Sequence, residues 1–237
     1  MTTIRLYADS AERSAVTPLL TDGLITGVTT NPTILARSKL DSSAIPALYD
    51  EWLAAGAHEI FFQAWGTTAD DLERTGRTIL SLGERIVVKV PASTEGLRAA
   101  ARLTRDGAIV LLTAVYSPGQ AVAAAAIGAR YVAPYLGRLQ DAGRPGLDEI
   151  EGMHRLLEGT GCDVLVASLR TSDAISDLAG RGIRHFTADP QVVKALFTDP
   201  ASDRAIVNFE AATADWEVWP PRVPLRGRDS APFPNQR

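Results

Sequence analysis

Arg85-Ile-Val-Val-Lys-Val90, followed by Pro91, reads as a single strand with one foreign residue in it. Isoleucine and valine branch at Cβ, which suits a pleated backbone better than a helix. The run is continuously apolar rather than alternating, as in a parallel strand covered on both faces. Lys89 interrupts it from within, with a valine on each side. Seven similar runs are spread along the chain, at Ile4–Ala8, Ile25–Thr30, Ile60–Trp65, Ala108–Ala114, Arg130–Tyr135, Val164–Ser168 and Ile183–Thr187. Their starts lie roughly 20–35 residues apart, the length of one strand, one helix and two loops.

Helix-like stretches fill the gaps, at Ser42–Ala55, Ala69–Leu80, Thr94–Arg105, Pro118–Ala126, Gly146–Glu158, Ser172–Ala179 and Pro190–Phe197. Thr68, Ser93, Ser117 and Thr171 each stand where a side-chain oxygen can accept from the free N–H groups of a first turn. Gly107, Gly128 and Gly182 stand between a helix and the next strand, where a left-handed residue ends a helix cheaply. Eight such units predict a (β/α)8 barrel. An open doubly wound sheet is the alternative, but no G-x-G-x-x-G or P-loop motif follows any of the runs.

The 237 residues allow one large domain or two small ones. Eight units absorb about 200 residues into one barrel at the spacing above, so the expected layout is a barrel over 1–217 and a tail over 218–237. The tail carries Pro220, Pro221, Pro224, Pro232 and Pro234 and suits neither helix nor strand. A 46% hydrophobic fraction with a net charge of -4 excludes intrinsic disorder and argues against holding nucleic acid by bulk charge. Cys162 stands alone, and His58, His154 and His185 are far apart in sequence, so neither an internal disulfide nor a metal site is expected. The reducing cytoplasm is the expected compartment. The opening MTTIRLYADS lacks the apolar core of a signal peptide, and the Ala-rich run over 121–129 is too short to cross a membrane.

In a barrel the chemistry lies where strands end and the following loops begin. The polar residues at those ends are Asp9, Thr29 with Thr30 and Asn31, Gln63, Lys89, Thr113, Tyr135 with Arg138, Ser168 with Arg170, and Asp189. Polarity there can simply reflect emergence into solvent, but Lys89 between valines fits that poorly. Burial disfavours an ammonium, so such a lysine is available as a neutral amine that attacks a carbonyl and forms a Schiff base. Asp9 suits an acid/base partner, or equally the N-cap of a helix starting near Ser10. Arg138, Ser168 and Arg170 suit a phosphate dianion, or a surface ion pair.

Taken together, these residues resemble the transaldolase family. The resemblance rests on Asp9, Gly27-Val-Thr-Thr-Asn-Pro-Thr33, Val88-Lys-Val-Pro91 with Thr94-Glu-Gly96, Tyr131-Val-Ala-Pro-Tyr135 with Arg138, and Ala167-Ser-Leu-Arg170. It runs from about residue 4 to about residue 217 and is closest to the small members, among them the fructose-6-phosphate aldolases. It implies a (β/α)8 barrel acting through a Schiff base on a dihydroxyacetone unit, without metal or organic cofactor. Lys89 matches the Schiff-base lysine, and Asp9 the carboxylate that takes the hydroxyl proton during C–C cleavage. Asn31, with Thr29 beside it, matches the asparagine that holds the donor's hydroxyls. Thr113 matches the threonine that helps hold a proton-shuttling water. Arg138, Ser168 and Arg170 match the acceptor's phosphate clamp.

Gln63 and Tyr135 resemble the aldolases, since transaldolases usually carry glutamate and phenylalanine there. Leu111 and Ala133 also follow the aldolases, whereas Arg170 follows the transaldolases. The resemblance therefore implies an aldolase of phosphorylated ketoses, with Gln63, Thr113 and Tyr135 placing the shuttle water. One rival is a transaldolase acting on phosphorylated ketoses and aldoses, including one that builds sugars for secondary metabolism. The other is a non-catalytic barrel that binds sugar phosphates. Small members form homo-oligomeric rings such as decamers, in which a C-terminal helix reaches a neighbour, and residues 190–217 are the stretch that would supply it.

Overall fold

In the computed structural model, which describes residues 3–216, eight parallel strands close into a barrel in chain order. They are β1 (Arg5–Asp9), β2 (Gly27–Thr29), β3 (Glu59–Gln63), β4 (Ile86–Pro91), β5 (Val110–Val115), β6 (Tyr131–Pro134), β7 (Asp163–Leu169) and β8 (His185–Ala188). Pairing of β8 with β1 through Leu6 and Phe186 completes the ring. The predicted tail over 218–237 lies outside the described residues.

The chain divides into two compact units, Met1–Phe197 and Thr198–Arg237. The first holds the barrel with α1 (Arg13–Thr21), α2 (Pro32–Arg37), α3 (Ile45–Ala54), α4 (Ala69–Leu80), α5 (Thr94–Arg105), α6 (Pro118–Ala126), α7 (Leu136–Asp141), α8 (Gly146–Leu157), α9 (Ser172–Gly180) and α10 (Pro190–Lys194). The described part of the second holds α11 (Pro200–Ala212), which carries the apolar Ile206, Val207 and Phe209.

The expected caps form. Thr68, Ser93 and Thr171 accept from the third residue of α4, α5 and α9, and Ser117 makes a reciprocal capping box with Gln120 at the start of α6. Gly107, Gly128 and Gly182 are all left-handed, at φ of 85°, 79° and 99°. Three helices escape the sequence pattern. α1 has Pro18 inside it and Glu12 as an N-cap with no side-chain bond. α2 and α7 have only six residues each, starting immediately beyond β2 and β6. The expected helix over Pro190–Phe197 divides into α10 and a 3-10 turn at Ala195–Phe197.

Two apolar layers follow from strand alternation. One lies inside the barrel, formed by Tyr7, Phe61, Val87, Leu111, Tyr131, Ala133, Leu165 and Ala167. The other joins the barrel's outer face to the helices and includes Val88, Val90, Leu112, Val164 and Val166. In β4 this parity sends Val87 and therefore Lys89 inward, while Val88 and Val90 face the helices. That double coverage is why the strand reads as continuously apolar.

The N-terminal end of the barrel is closed by polar groups paired with one another. Glu59 accepts from the Tyr7 hydroxyl at 2.5 Å, the Tyr131 hydroxyl at 2.8 Å and the Arg5 guanidinium at 3.2 Å. Burial followed by the Glu59 charge raises both phenols, that of Tyr131 to about 12, so both stay protonated as donors. Arg130 bridges Asp163 at 2.6 Å and lies over the Tyr131 ring. His185 packs edge-on to the same ring. Among the described residues no helix is long and apolar enough to cross a membrane, and no group of three His, Cys, Asp or Glu side chains is placed to hold a metal ion.

Candidate active site

At the C-terminal end of the strands, residues from several elements surround a cavity of about 500 Å³. Asp9, Asn31, Gln63, Thr113, Tyr135, Arg138 and Ser168 line it, together with Thr33, Arg37, Ala114 and Asp189. Lys89 is 4% exposed and faces inward on β4, in register with Gln63 on β3. Pro91, two residues further along the same strand, lines the cavity wall. Burial lowers the Lys89 pKa from the ordinary lysine value, against the pull of the Asp9 charge, which favours the ammonium. Among the described residues nothing accepts a hydrogen bond from its Nζ, so the amine is not tied up.

Asp9 is not a helix cap. α1 begins only at Arg13, and the carboxylate instead accepts from the Thr29 hydroxyl at 2.6 Å. Asp9 and Thr29 are in register on β1 and β2. Asn31 caps α2, its side-chain oxygen accepting from the Ile34 N–H at 3.0 Å. This fixes the amide so that its NH2 is the group left for a ligand. Gly27 opens the segment that carries both residues, and it has no room for a side chain. A Cβ there would lie 1.9 Å from the Glu59 carbonyl oxygen.

Thr113 and Tyr135 share a hydrogen bond of 2.8 Å between the ends of the neighbouring strands β5 and β6. Burial raises the Tyr135 phenol above its ordinary value and the bond from Thr113 opposes this, so Tyr135 faces the cavity as a protonated phenol rather than a phenolate. Tyr116 stands edge-on to its ring at 5.8 Å between centroids. Behind these groups β5 and β7 each break register near their ends, between Leu112 and Val115 and between Val166 and Leu169. Ala114 and Ser168 lie in those bulges with left-handed φ of 58° and 57°. Such conformations cost a non-glycine residue about 1 kcal/mol or more and are concentrated at functional sites.

Ser168 and Arg138 line the same cavity, and α7, which carries Arg138, lies close against the end of β7 at Gly137. A Cβ on Gly137 would lie 2.7 Å from the Ser168 carbonyl oxygen and 2.9 Å from its Oγ. Arg170 is placed differently from the other expected residues. It is exposed and makes a double bridge to Asp141, at 2.7 and 2.6 Å, and it does not line the cavity. The basic residue that sequence reasoning missed is Arg37. It falls at the end of a helix too short to show periodicity, nearly two turns beyond Asn31. Among the described residues neither Arg37 nor Arg138 has an ion-pair partner.

Residues 6–220 match the family model described as Transaldolase/Fructose-6-phosphate aldolase. The chain is 34% identical over 214 residues to a "Probable transaldolase" of Ruegeria sp. (strain TM1040), covering 88% of this chain and 95% of that one. It is 30% identical over 216 residues to a "Probable transaldolase" of Roseobacter denitrificans, covering 90% and 97%. Among solved structures it resembles a dihydrodipicolinate synthase from Rhodopseudomonas palustris, with a TM-score of 0.57 at 14% identity over 89% of this chain and 80% of that one. A mandelate oxidase mutant gives 0.55 at 16% identity over 90% and 72%. At such identities the structural likeness speaks for the barrel alone.

Proposed function

The chain belongs to the transaldolase/fructose-6-phosphate aldolase family, and from that premise we propose that it is a cytoplasmic Schiff-base aldolase acting on the C3–C4 bond of a phosphorylated ketose such as fructose 6-phosphate. The observation that carries the reading is Lys89, buried, with its ammonium disfavoured, beneath a cavity lined by Asp9. A neutral amine at that depth attacks the ketose C2 carbonyl to give a carbinolamine. Loss of water, with protons relayed through a water held by Gln63, Thr113 and Tyr135, gives the iminium. Asp9 takes the proton of the C4 hydroxyl as the C3–C4 bond breaks. The bond's electrons pass to C3 and neutralise the iminium as an enamine, and a phosphorylated aldehyde departs. Protonation at C3 and hydrolysis then release dihydroxyacetone and restore the amine.

Asn31, beside Thr29, holds the donor hydroxyls, and Arg138 with Ser168 holds the aldehyde's phosphate. Arg170, engaged by Asp141, supports that corner from outside the cavity. The chemistry calls on side chains alone, with no cofactor. The chain works as a homo-oligomeric ring, and α11 is the element offered to a neighbour.

The names of the relatives favour a second reading, in which the enamine attacks another aldehyde instead of being hydrolysed. Incubation with fructose 6-phosphate alone separates the two. Free dihydroxyacetone without an acceptor is expected, and strict dependence on an acceptor aldehyde would establish the transaldolase. Gln63→Glu with Tyr135→Phe should move the balance toward transfer, because the shuttle water that hydrolyses the imine loses its holders. Borohydride in the presence of fructose 6-phosphate should fix a covalent adduct on Lys89. Binding of the sugar phosphate without any adduct would instead establish a non-catalytic barrel.

A further inference from the structure

One buried hydroxyl behind the cavity has a partner and, so far, no role. Thr187 on β8 is 1% exposed, and its Oγ1 lies 2.6 Å from the Oγ1 of Thr29, which is itself fully buried. Thr29 also bonds Asp9 Oδ1 at 2.6 Å. The three groups come from adjacent strands, because β1 lies between β2 and β8.

Proton counting gives the chain a direction. A hydroxyl has one proton to donate, and an ionised carboxylate has none. The proton of Thr29 must therefore go to Asp9. Thr29 can meet Thr187 only as an acceptor, so Thr187 donates. The order is Thr187 to Thr29 to Asp9 Oδ1. Among the described residues no second donor reaches Asp9, so Oδ2 stays uncommitted on a residue that lines the cavity.

We infer that Thr187 is a positioning residue for Asp9: by fixing the Thr29 hydroxyl it holds Oδ1 and leaves Oδ2 as the oxygen that takes the substrate's hydroxyl proton. This rests on the Schiff-base reading above. Thr187 does not line the cavity and touches no substrate. Without its bond the Thr29 hydroxyl is held only by Asp9, and the carboxylate is less firmly oriented. A misplacement on the order of 1 Å costs proton transfer roughly 100-fold at most. Amine attack at Lys89 does not use the chain and is left intact.

Thr187→Val keeps the shape and removes the donor. The expected result is a drop in kcat for fructose 6-phosphate cleavage of about 10-fold or more, with KM within a few-fold of the wild type. Borohydride fixation of dihydroxyacetone on Lys89 should proceed at the wild-type rate. Thr187→Ser restores the donor and should restore most of kcat. The double variant Thr29→Val with Thr187→Val should be no slower than Thr29→Val alone, because one chain is broken in either case.

Equal cleavage by Thr187→Val and the wild type would overturn the proposal. So would a parallel loss of fixation and cleavage that Thr187→Ser does not rescue, since that marks a packing role. If the wild type fixes no adduct at all, the Schiff-base reading fails and the proposal falls with it. That outcome is distinguishable from an adduct that forms equally in both proteins while cleavage is also equal.

Discussion

His185 should make this protein measurably sensitive to mild acid. Its side chain is 2% exposed at the N-terminal end of the barrel, edge-on to Tyr131 at 5.4 Å between ring centroids. Burial drives its pKa from 6.5 down to about 4. The charged groups facing it come from four strands or strand entries and pull in both directions. Asp163 and Glu59 favour the imidazolium, while Arg5 and Arg130 oppose it. The folded value lies below the unfolded one, so the unfolded chain takes up the proton first. Stability from this group is therefore intact above about pH 6.5 and is lost as pH falls from 6.5 toward 4. At about 1.4 kcal/mol for each tenfold in proton affinity, the full loss is roughly 3 kcal/mol. About 2 kcal/mol of it falls between pH 7.5 and 5. Urea unfolding of the wild type and of His185→Leu at those two values isolates the effect, because losses from carboxylates are common to both. The wild type should lose about 2 kcal/mol more than the variant on going to pH 5. An equal loss would refute the reasoning and show that the imidazole is protonated as easily inside the barrel as outside it.

Lys89→Met should abolish the borohydride adduct and turnover while raising the urea midpoint at neutral pH. Burial holds the folded-state lysine below its ordinary 10.5, so the lysine's stability cost is largest at low pH and fades as pH rises toward that value. A destabilised variant would mean that the ammonium is well satisfied. Arg138→Ala should raise KM for a phosphorylated acceptor by about 10-fold or more, the worth of one charge-assisted contact. Arg37→Ala should also raise it, and Arg170→Ala least, because Asp141 already occupies that guanidinium. A larger effect at Arg170 would show that the bridge opens when the acceptor binds. Gly137→Ala should cost roughly 1–3 kcal/mol of stability and weaken the phosphorylated acceptor further. Its new methyl would meet the Ser168 carbonyl, and unchanged kinetics would show that α7 yields without disturbing Arg138.

The barrel is legible because its signals are local and repeat. Apolar runs such as 86–90, capping residues such as Ser93 and Ser117, and left-handed glycines each act within a few residues. α4, α5 and α6 accordingly run over the predicted residues. α2 and α7 are not legible, because six residues are too few to show a period and both are set by the strand ends that precede them. The cavity was legible through the polar strand ends, for Asp9, Asn31, Gln63, Thr113, Tyr135, Arg138 and Ser168 all line it. Arg170 and Arg37 exchange places for the same reason that Thr187 was missed. Pairing to Asp141, arrival on a short helix and a hydroxyl bond across β1 are tertiary facts with no sequence period.

Lys89 and His185 are both buried bases disfavoured as cations, one near each end of the same barrel, and their surroundings differ in what they leave open to a ligand. Around His185 the charged groups are committed to one another. Glu59 is held by Tyr7, Tyr131 and Arg5, and Asp163 is bridged to Arg130. The carboxylates there are already engaged by fixed donors, and disturbing any member leaves a buried partner unsatisfied. Around Lys89 the same kinds of group are uncommitted. Asp9 keeps one oxygen free, Asn31 keeps its NH2, and Arg37 and Arg138 have no ion pair among the described residues. Polar groups held open at the mouth of a barrel cost stability unless a ligand completes them. The closed end therefore supplies rigidity, and the open end keeps its hydrogen-bonding capacity for a substrate.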